Sequence, residues 1–520
     1  MGFWTNLETR GKIFIGVLAA VILGVGAWQF HEYSIKHGTL KNASKDLAAQ
    51  KMNINKDADL VIAYNTFPGM EGILLMNNGM DPNEDSRLFK EYGIKLQIKK
   101  MDVVQDTRDG LKAGVLDAVY CTTDALSIEM GSGSQLVEIK TKQIFKVNES
   151  RGADALVVTK GITKVSDLKG KKVAYAVGTA SNTLLINTLE ASGLKSSDIE
   201  AMKVADGVEA ANAFKAGQCD AALVWAPDDA DCVAAIKGAT VLVSTATATQ
   251  IIADGLLVTE DNLKAKREVI TKLVGAWMKG NGLINSSTTE RKTANELFAK
   301  YFDFPVEVAA ISSTKIRFCT LQDNKNFFGL DPTFTGVTGE KMYGRMAVKY
   351  TEAGLAKAPA AWRVVSDESV IQDLLGTPLA VDASQTVEPV AVFTPPTKAE
   401  EKAPAQGTKK LTLNFAFGSA VLDDANRTIV DREVTGLAQG FEGARIRVEG
   451  NTDNVGNAKS NKTLSYARAQ SVVNYLVSEY KFSPNKFMIV GNGPDKPLCP
   501  GNEDEECRAQ NRRTDVNFVW

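Results

Sequence analysis

The sequence has few of the residues on which metal and nucleophilic catalysis most often depend. Only 2 of its 520 residues are histidine. Both, His31 and His37, follow the most apolar segment of the chain, so a zinc site or a Ser/His/Asp triad would have to be built there. The sequence also shows no nucleophile and base pair, no phosphate-binding loop and no C-x-x-C spacing. We therefore predict a protein that is not an enzyme and holds neither metal nor cofactor.

An excess of charge of one sign is also lacking. The 60 Lys and Arg residues nearly balance the 62 Asp and Glu residues, which gives a formal net charge of −2. No block of like charge is long enough to suggest a polyanionic partner. We therefore predict that the protein does not bind nucleic acid.

The chain has one long apolar run, near its N-terminus. Residues 13–27 carry no ionisable group, and two aromatic residues extend the run toward the ~20 residues of a tilted membrane span. Arg10 and Lys12 precede it, so the positive-inside rule exports the rest of the chain. A signal peptide cleaved near Ala27 is the alternative. We predict an inner-membrane anchor with the bulk of the chain in the periplasm, divided into a cytoplasmic stub at 1–11, a transmembrane anchor at 12–30 and a stalk at 31–56.

Cysteines are also few, with 6 in the whole chain. In an exported protein they can be oxidised. Cys499 and Cys507 flank a short polar loop, and we predict that they form a disulfide worth ~2 to 3 kcal/mol by loop-entropy arithmetic. For Cys219 and Cys232 the sequence leaves a second bridge and two free thiols equally open. The other two cysteines are expected to be small buried hydrophobes.

The remaining chain divides into two folded regions by composition. Between residues 57 and 380, short apolar runs alternate with helical patterns, which is typical of an α/β fold. The runs expected to be strands are 60–64, 94–98, 117–121, 155–159, 172–177, 221–225 and 255–259. Because about 320 residues exceed one core, we predict two lobes. A Pro-, Ala-, Lys- and Glu-rich linker follows at 381–409, with a reach of up to ~80 to 90 Å.

The last region, 410–520, is predicted to be a smaller α/β sandwich whose first strand spans 411–417. In its second helix Arg468 lies at i+4 from Leu464, on an apolar stripe. Asp453 lies in a glycine-bounded turn before that helix. The two charges can form a plain salt bridge. They can also face a pocket together, where Arg binds a carboxylate and Asp binds an ammonium group of a zwitterionic amino-acid end.

Several separated blocks in this region carry a specific resemblance. FAFGSAVL, GNTDNVGN, NKTLSYARAQ and NRRTDV are similar to the OmpA-like peptidoglycan-binding domain over residues 410–520. The resemblance implies that Asp453 and Arg468 hold the diaminopimelate of the stem peptide. Asn451 stands where the family has histidine, so a contact at that position stays open. The resemblance also implies a pocket that includes Thr452, Asn461, Leu464 and Arg512, with Asn511 as a further supporting residue.

Loops at the carboxyl ends of predicted strands indicate a ligand site in the central region, because open α/β sheets bind ligands there. The blocks LKAGVLDAVYCTTDAL, DLKGKKVAYAVGTASNTLL and FKAGQCDAALVWAPD resemble type 2 periplasmic solute-binding proteins, in the branch that binds nitrate, sulfonates and pyrimidine precursors. The resemblance implies a second lobe at about 155–250, two hinge strands and a cleft between the lobes. The residues carried over to that cleft are Thr66, Glu71, Thr123, Asp124, Thr179, Ser181, Trp225 and Asp228.

Two groups of residues point to opposite charges for the solute. The helix that begins after Gly178, with Arg151 near in sequence, favours an anion. Glu71, Asp124, Asp228 and Asp229 favour a cation or an amine. We predict a small polar solute, with an anion preferred.

Two interpretations of the whole chain follow. The first is a membrane-tethered, peptidoglycan-anchored receptor that serves an ABC-type permease or reports solute. The alternative is a structural linker between inner membrane and peptidoglycan whose cleft has lost its ligand.

Overall fold

The computed structural model describes residues 52–379, 392–501 and 504–520. The predicted cytoplasmic stub, the membrane anchor and most of the stalk therefore lie outside the described residues, as do residue 380 and residues 381–391 of the predicted linker. Within the described ranges, no helix is both long enough and apolar enough to span a bilayer.

The described chain forms three β-sheets covered by helices. The strands are β1 (Leu60–Tyr64), β2 (Leu96–Lys100), β3 (Ala118–Thr122), β4 (Thr141–Ser150), β5 (Asp154–Val158), β6 (Lys172–Ala176), β7 (Glu200–Val204), β8 (Ala221–Trp225), β9 (Thr240–Ser244), β10 (Ala253–Thr259), β11 (Ile316–Phe318), β12 (Gly407–Leu411), β13 (Arg445–Asn451), β14 (Phe487–Gly493) and β15 (Thr514–Val519).

The α-helices are Glu71–Asn77, Arg87–Tyr92, Val104–Ala113, Leu126–Glu129, Gln135–Glu138, Ala180–Glu190, Gly207–Lys215, Asp228–Ala235, Glu260–Ala265, Arg267–Ser286, Thr288–Phe302, Val306–Thr314, Leu321–Phe327, Gly339–Glu352, Trp362–Val365, Ser369–Leu374, Lys398–Lys402, Asp424–Val430, Gly436–Gly440, Ala458–Tyr480 and Glu505–Asn511. A π-helical turn, Asp431–Thr435, joins two of them.

The first lobe is built on a mixed six-stranded sheet with the order β11-β4-β10-β3-β1-β2. Strand β1 pairs in parallel with β2 and β3, while β10 runs antiparallel to β3 and β4. All five residues of β1 are buried, as expected for an apolar run covered on both faces. The helix Arg267–Ser286 covers one face and buries Trp277 completely.

The second lobe has a five-stranded sheet with the order β7-β6-β8-β5-β9. The chain enters it from β4 to β5, across residues 150–154, and returns from β9 to β10, across 244–253. Two crossings of this kind are what the solute-binding resemblance implies for a pair of lobes that can hinge. The cleft residues must therefore come from strand ends on both sides of these crossings.

The C-terminal domain has a four-stranded sheet with the order β12-β15-β13-β14. Its helix Asp424–Val430 begins after the N-cap residue Asp423, whose carboxylate accepts a hydrogen bond from the backbone amide of Asn426. The predicted strand at 411–417 is wrong. The strand is Gly407–Leu411, and Phe417 is fully exposed, because the chain leaves the sheet after Leu411 and crosses toward the helices.

The second half of the predicted linker is attached to this domain. Lys398–Lys402 is helical, and Glu400 of that helix pairs with Arg445 of β13 at 2.7 Å. Asn485 donates a hydrogen bond to the carbonyl of Phe393 at 2.9 Å, and the linker range predicted from sequence already includes the start of β12. Residues 392–409 are thus part of the C-terminal domain in this structure.

The C-terminal domain packs on the second lobe. Ile251 of the central region shares one apolar core with Phe441, and the indole N–H of Trp520 donates to the carbonyl of Leu242 at 2.8 Å. Backbone bonds join residues 247 and 250 of the lobe to 443 and 440 of the C-terminal domain, at 3.1 and 3.2 Å. Apolar packing and hydrogen bonds together hold the two domains against each other.

Candidate functional site

Asp453 lies just after β13, in the turn that leads to the long helix Ala458–Tyr480. Its carboxylate pairs with the guanidinium of Arg512 at 2.8 Å. Arg512 also contacts Glu505, and the hydrogen bond to Asp453 is the main reason why the pKa of Arg512 is raised. Asp453 is therefore fixed in position by a charge-assisted bond to the residue that the family resemblance places beside it.

Arg468 does not bond to that carboxylate. Its Nε donates to the carbonyl of Ser419 at 2.9 Å, and its guanidinium lies over the ring of Phe415, 4.9 Å from the centroid. Burial lowers the pKa of Arg468, Asp453 opposes that shift and Arg512 adds to it. These mutual effects show that the three charged groups, Asp453, Arg468 and Arg512, share one neighbourhood. The plain salt bridge between Asp453 and Arg468, which is one of the two arrangements that the sequence left open, is not formed among the described residues.

The other residues carried over to this pocket support its loops. Thr452 donates its amide to the carbonyl of Gly493 at 2.9 Å, and Asn461 donates its side-chain amide to the carbonyl of Val455 at 2.9 Å. Leu464 is half-buried on the same helix as Arg468. Asn451, at the family's histidine position, is buried and donates to Asp515 at 3.1 Å. Its side chain is therefore hydrogen-bonded to a residue of the neighbouring strand β15.

The cysteine predictions have two outcomes. The disulfide between Cys499 and Cys507 is confirmed. It lies beside Asn511, whose side chain accepts the amide of Cys499 at 3.0 Å and so supports the loop before Arg512. A bridge between Cys219 and Cys232 is not formed. Both are free buried thiols that pack among apolar side chains of the second lobe.

The first lobe meets the helix Ala180–Glu190 of the second lobe at residues that were predicted to line the cleft. Asp124, at the end of β3, accepts a hydrogen bond from the hydroxyl of Thr183 at 2.5 Å. The same hydroxyl lies 2.6 Å from the phenol of Tyr350. Burial raises the pKa of Asp124 to about 8. Thr123 is also buried and accepts a bond from Gln143 at 2.9 Å, so both predicted residues are bonded within the protein.

The N-terminus of that helix carries the other predicted group. Gly178 has a φ of 75°, a left-handed conformation that glycine adopts at low cost. Its amide donates to Asn182 at 3.2 Å, and the hydroxyl of Thr179 donates to the carbonyl of Ala176 at 2.9 Å. The Ser181 hydroxyl is buried and makes no hydrogen bond. It is the group of this helix start with unused capacity for a ligand.

The remaining predicted cleft residues lie on separate elements. Thr66 donates its hydroxyl to Asp102 at 2.9 Å, and Glu71 accepts from Ser313 at 2.9 Å while burial raises its pKa to about 8. Trp225 ends β8, and Asp228 begins the next helix, where burial raises its pKa. Hydrogen bonds among the described residues bring Asp124, Thr179 and the helix that contains Ser181 together around Tyr350. They do not join Thr66, Glu71, Trp225 or Asp228 to that cluster.

The charged groups near the junction of the two lobes are either paired or buried. The guanidinium of Arg151 forms an ion pair with the carboxylate of Glu149. Burial raises the pKa of Asp154 to about 6 and that of Asp254 to about 7. Within the described residues, neither of these carboxyl groups, nor that of Asp124, forms an ion pair. No sequence pattern pointed to Asp254 or Tyr350, because their partners are distant in the chain.

Comparisons with known proteins match both regions. A model described as the OmpA family matches residues 414–512, and one described as NMT1/THI5 like matches residues 85–286. Outer membrane protein A of Bordetella avium is 30% identical over 162 residues, which cover 30% of this chain and 79% of the relative. The peptidoglycan-associated lipoprotein of Pseudomonas putida is 40% identical over 105 residues, which cover 20% of this chain and 61% of the relative.

A solved structure also aligns with part of this chain. The periplasmic aliphatic sulphonate binding protein SsuA from Escherichia coli aligns with a TM-score of 0.48 and 19% identity, over 59% of this chain and 92% of that chain.

Proposed function

Because the chain belongs to the OmpA family and carries an NMT1/THI5-like domain ahead of its OmpA domain, we propose that it is a peptidoglycan-anchored periplasmic solute-binding protein. The C-terminal domain binds the diaminopimelate of the peptide stem through Asp453 and Arg468. The central domain binds a small polar solute between its lobes. The predicted helix at 12–30 tethers the chain to the inner membrane, and the solute is passed to an ABC-type permease or its presence is reported.

The hydrogen bonding of the Arg468 guanidinium is the observation that supports the wall-binding part of this proposal. Its guanidinium is bonded to the carbonyls of Ser419 and Ala416, while the nearby Asp453 carboxylate is bonded to Arg512. Carbonyl acceptors position an arginine without neutralising its charge. A ligand carboxylate can therefore supply that countercharge, and the Asp453 carboxylate can bind the ammonium group of the same amino acid.

Co-sedimentation of the full chain with purified sacculi tests this part. We expect most of the protein to pellet with sacculi, and free diaminopimelate-containing stem peptide to release it. Release by stem peptides that carry lysine in place of diaminopimelate, at equal concentration, would contradict the proposed recognition of the second zwitterionic end.

The buried, unbonded hydroxyl of Ser181 supports the solute-binding part. A helix N-terminus with a free hydroxyl and unbonded amides suits an anionic or neutral polar group. Mass spectrometry of small molecules that copurify with the full chain identifies candidates. Each is then tested for stabilisation in thermal melting, because a ligand that binds only the native state must raise the melting temperature.

One observation favours the structural-linker alternative. Thr123 and Asp124 are fully buried and hydrogen-bonded to protein groups. A cleft whose polar groups are used in this way can be a joint between lobes with no solute. If no molecule copurifies and no compound in a broad metabolite panel raises the melting temperature, the linker function is the one to keep.

A further inference from the structure

The helix Gly339–Glu352 belongs to the first lobe but also contacts the second. Tyr343 on this helix donates its phenol to the carbonyl of Ala360 at 2.8 Å, which fixes the helix to the first lobe. From the same helix Tyr350 reaches Thr183 at 2.6 Å, and Met346 accepts a hydrogen bond from Asn187 at 3.5 Å. Any movement that separates the lobes must break these contacts.

The same helix supplies two cations to one carboxylate of the second lobe. Arg345 and Lys349 pair with Glu190, at 3.1 and 3.0 Å. Burial on its own raises the pKa of Glu190, but the two cations outweigh burial and the pKa is lowered. Glu190 is the last residue of the helix whose first residues form the cleft. The ion pairs therefore hold the cleft helix at its far end.

Arg345 differs from Lys349 in one respect. Its other terminal nitrogen donates to the carbonyl of Gly436, in the C-terminal domain, at 2.5 Å. Gly440 also lies close enough that a Cβ there would come within 3.2 Å of the Arg345 guanidinium. Lys349, in the described structure, pairs with Glu190 and Glu352. Arg345 lies on a helix of the first lobe and thus contacts both the second lobe and the C-terminal domain.

We propose that Arg345 couples opening of the solute cleft to docking of the wall-binding domain. The planar guanidinium bonds Glu190 with one nitrogen and Gly436 with the other. When the first lobe swings away from the second, Arg345 moves with its helix and loses both bonds. The C-terminal domain then keeps its contacts to the second lobe, such as the one from Trp520 to Leu242, but loses its contact to the first.

Linkage makes this coupling reciprocal. A contact that is made only when the lobes are together and the C-terminal domain is docked stabilises both states at once. Docking therefore favours the joined lobes, and joined lobes favour docking. Asp453 of the proposed wall-binding pocket and Gly436 of this contact lie on different elements of the C-terminal domain, so we expect the domain to bind the wall while docked. The cleft of a wall-bound molecule is thereby biased toward its joined form.

Distance measurements between spin labels on the full chain test the coupling. Labels replace the exposed residues Val103 in the first lobe, Val208 in the second and Ser478 in the C-terminal domain, while the four free native cysteines are buried. The Val103–Val208 pair reports the lobes, and the Val208–Ser478 pair reports docking. Arg345→Gln is expected to raise the longer-distance population of both pairs by about threefold, the effect of one or two partly exposed charged bonds.

Lys349→Gln is the matched control, because it removes a bond to the same Glu190 without touching the C-terminal domain. With Arg345 intact it is expected to lengthen both pairs through the coupling, and in the Arg345→Gln background it is expected to lengthen only the lobe pair. Trp520→Phe tests the reverse direction. It keeps one aromatic ring but removes the N–H that donates to Leu242 and part of the ring that stacks on Phe441, so it is expected to lengthen the lobe distances as well as the docking distances. The coupling is refuted if Arg345→Gln changes only one pair, or if Trp520→Phe leaves the lobe pair unchanged.

Discussion

The two candidate sites use their charged groups in opposite ways. At the C-terminal site, Arg468 is bonded to carbonyls and remains without a bonded carboxylate. At the lobe junction, Asp124 is buried and bonded to Thr183. The first arrangement needs a ligand to complete it, while the second is already complete within the protein. Under the proposed function, wall binding would use a pocket that is already formed, whereas solute binding would require the lobes to rearrange.

The largest expected effect comes from removing either charge of the C-terminal pocket. Arg468→Ala or Asp453→Ala should weaken binding of the full chain to sacculi roughly 30- to 100-fold, because a hydrogen bond to a charged group contributes about 2 to 3 kcal/mol. Co-sedimentation with a dilution series of sacculi measures this. Arg432→Ala, an exposed arginine outside the pocket, is the control. A loss in Arg432→Ala as large as that in the other two variants would show that the effect is not specific to the pocket.

The lobe junction should respond to pH. Burial raises the pKa of Asp124 to about 8 and of Asp254 to about 7, whereas both titrate near ~3.9 in an unfolded chain. Between these values the folded protein holds protons that the unfolded chain releases. Stability from these groups is therefore present below pH ~4 and is lost as the pH rises through the folded values.

The melting temperature should thus fall by several degrees between pH 5 and pH 8.5, by an amount to which other groups also contribute. Asp124→Asn cannot lose a proton and should reduce that slope. Asp424→Asn, at a fully exposed carboxylate, should leave the slope as it is. A slope that is the same in the wild type and in Asp124→Asn would show that Asp124 is already ionised in the folded state.

Removing one hydroxyl from the junction should have a smaller effect. Tyr350→Phe deletes the group that lies 2.6 Å from the Thr183 hydroxyl and should cost about 1 to 2 kcal/mol of unfolding free energy. Denaturant unfolding of the full chain measures it, and binding to sacculi should not change, since the two sites lie on separate domains. Reduced sacculus binding would contradict the separation of the two sites.

The smallest effect on stability is expected at Ser181. Its hydroxyl is buried without a partner, so Ser181→Ala should leave the free energy of unfolding unchanged or raise it by up to ~1 kcal/mol. The same change should lower the amount of copurifying solute about fivefold, the value of one neutral hydrogen bond to a ligand. Undiminished solute in the alanine variant would remove Ser181 from the site.

The same contrast explains which features the sequence could predict. The run 60–64 is strand β1 because every side chain in it is apolar and buried. Strand β7, Glu200–Val204, was not predicted, since it lies at the edge of its sheet and two of its five residues are charged. Strand β4 was missed for a related reason, as polar side chains fill its buried faces. Polar strands carry no apolar period for a sequence pattern to detect.

The two candidate sites also differ in how far apart their residues lie in the sequence. Asp453 and Arg468 are 15 positions apart on a turn and the helix that follows it, so local spacing was enough to place them in one neighbourhood. Asp124 and Thr183 are separated by 59 residues, and Thr183 and Tyr350 by 167. Only the assembled fold brings those three together. The contacts of Arg345 could not be predicted from the sequence either, because its partners lie in the second lobe and in the C-terminal domain.

The packing of the C-terminal domain on the second lobe changes how the connection between them acts. Residues 392–409 are attached to that domain, so the chain between Leu379 and Val392 is all that separates the two folded parts along the sequence. A connection this short holds the domain at an effective concentration in the millimolar range. Even a weak interface stays largely occupied under those conditions. A molecule held by the wall would then carry its cleft at a fixed height and orientation within the cell envelope.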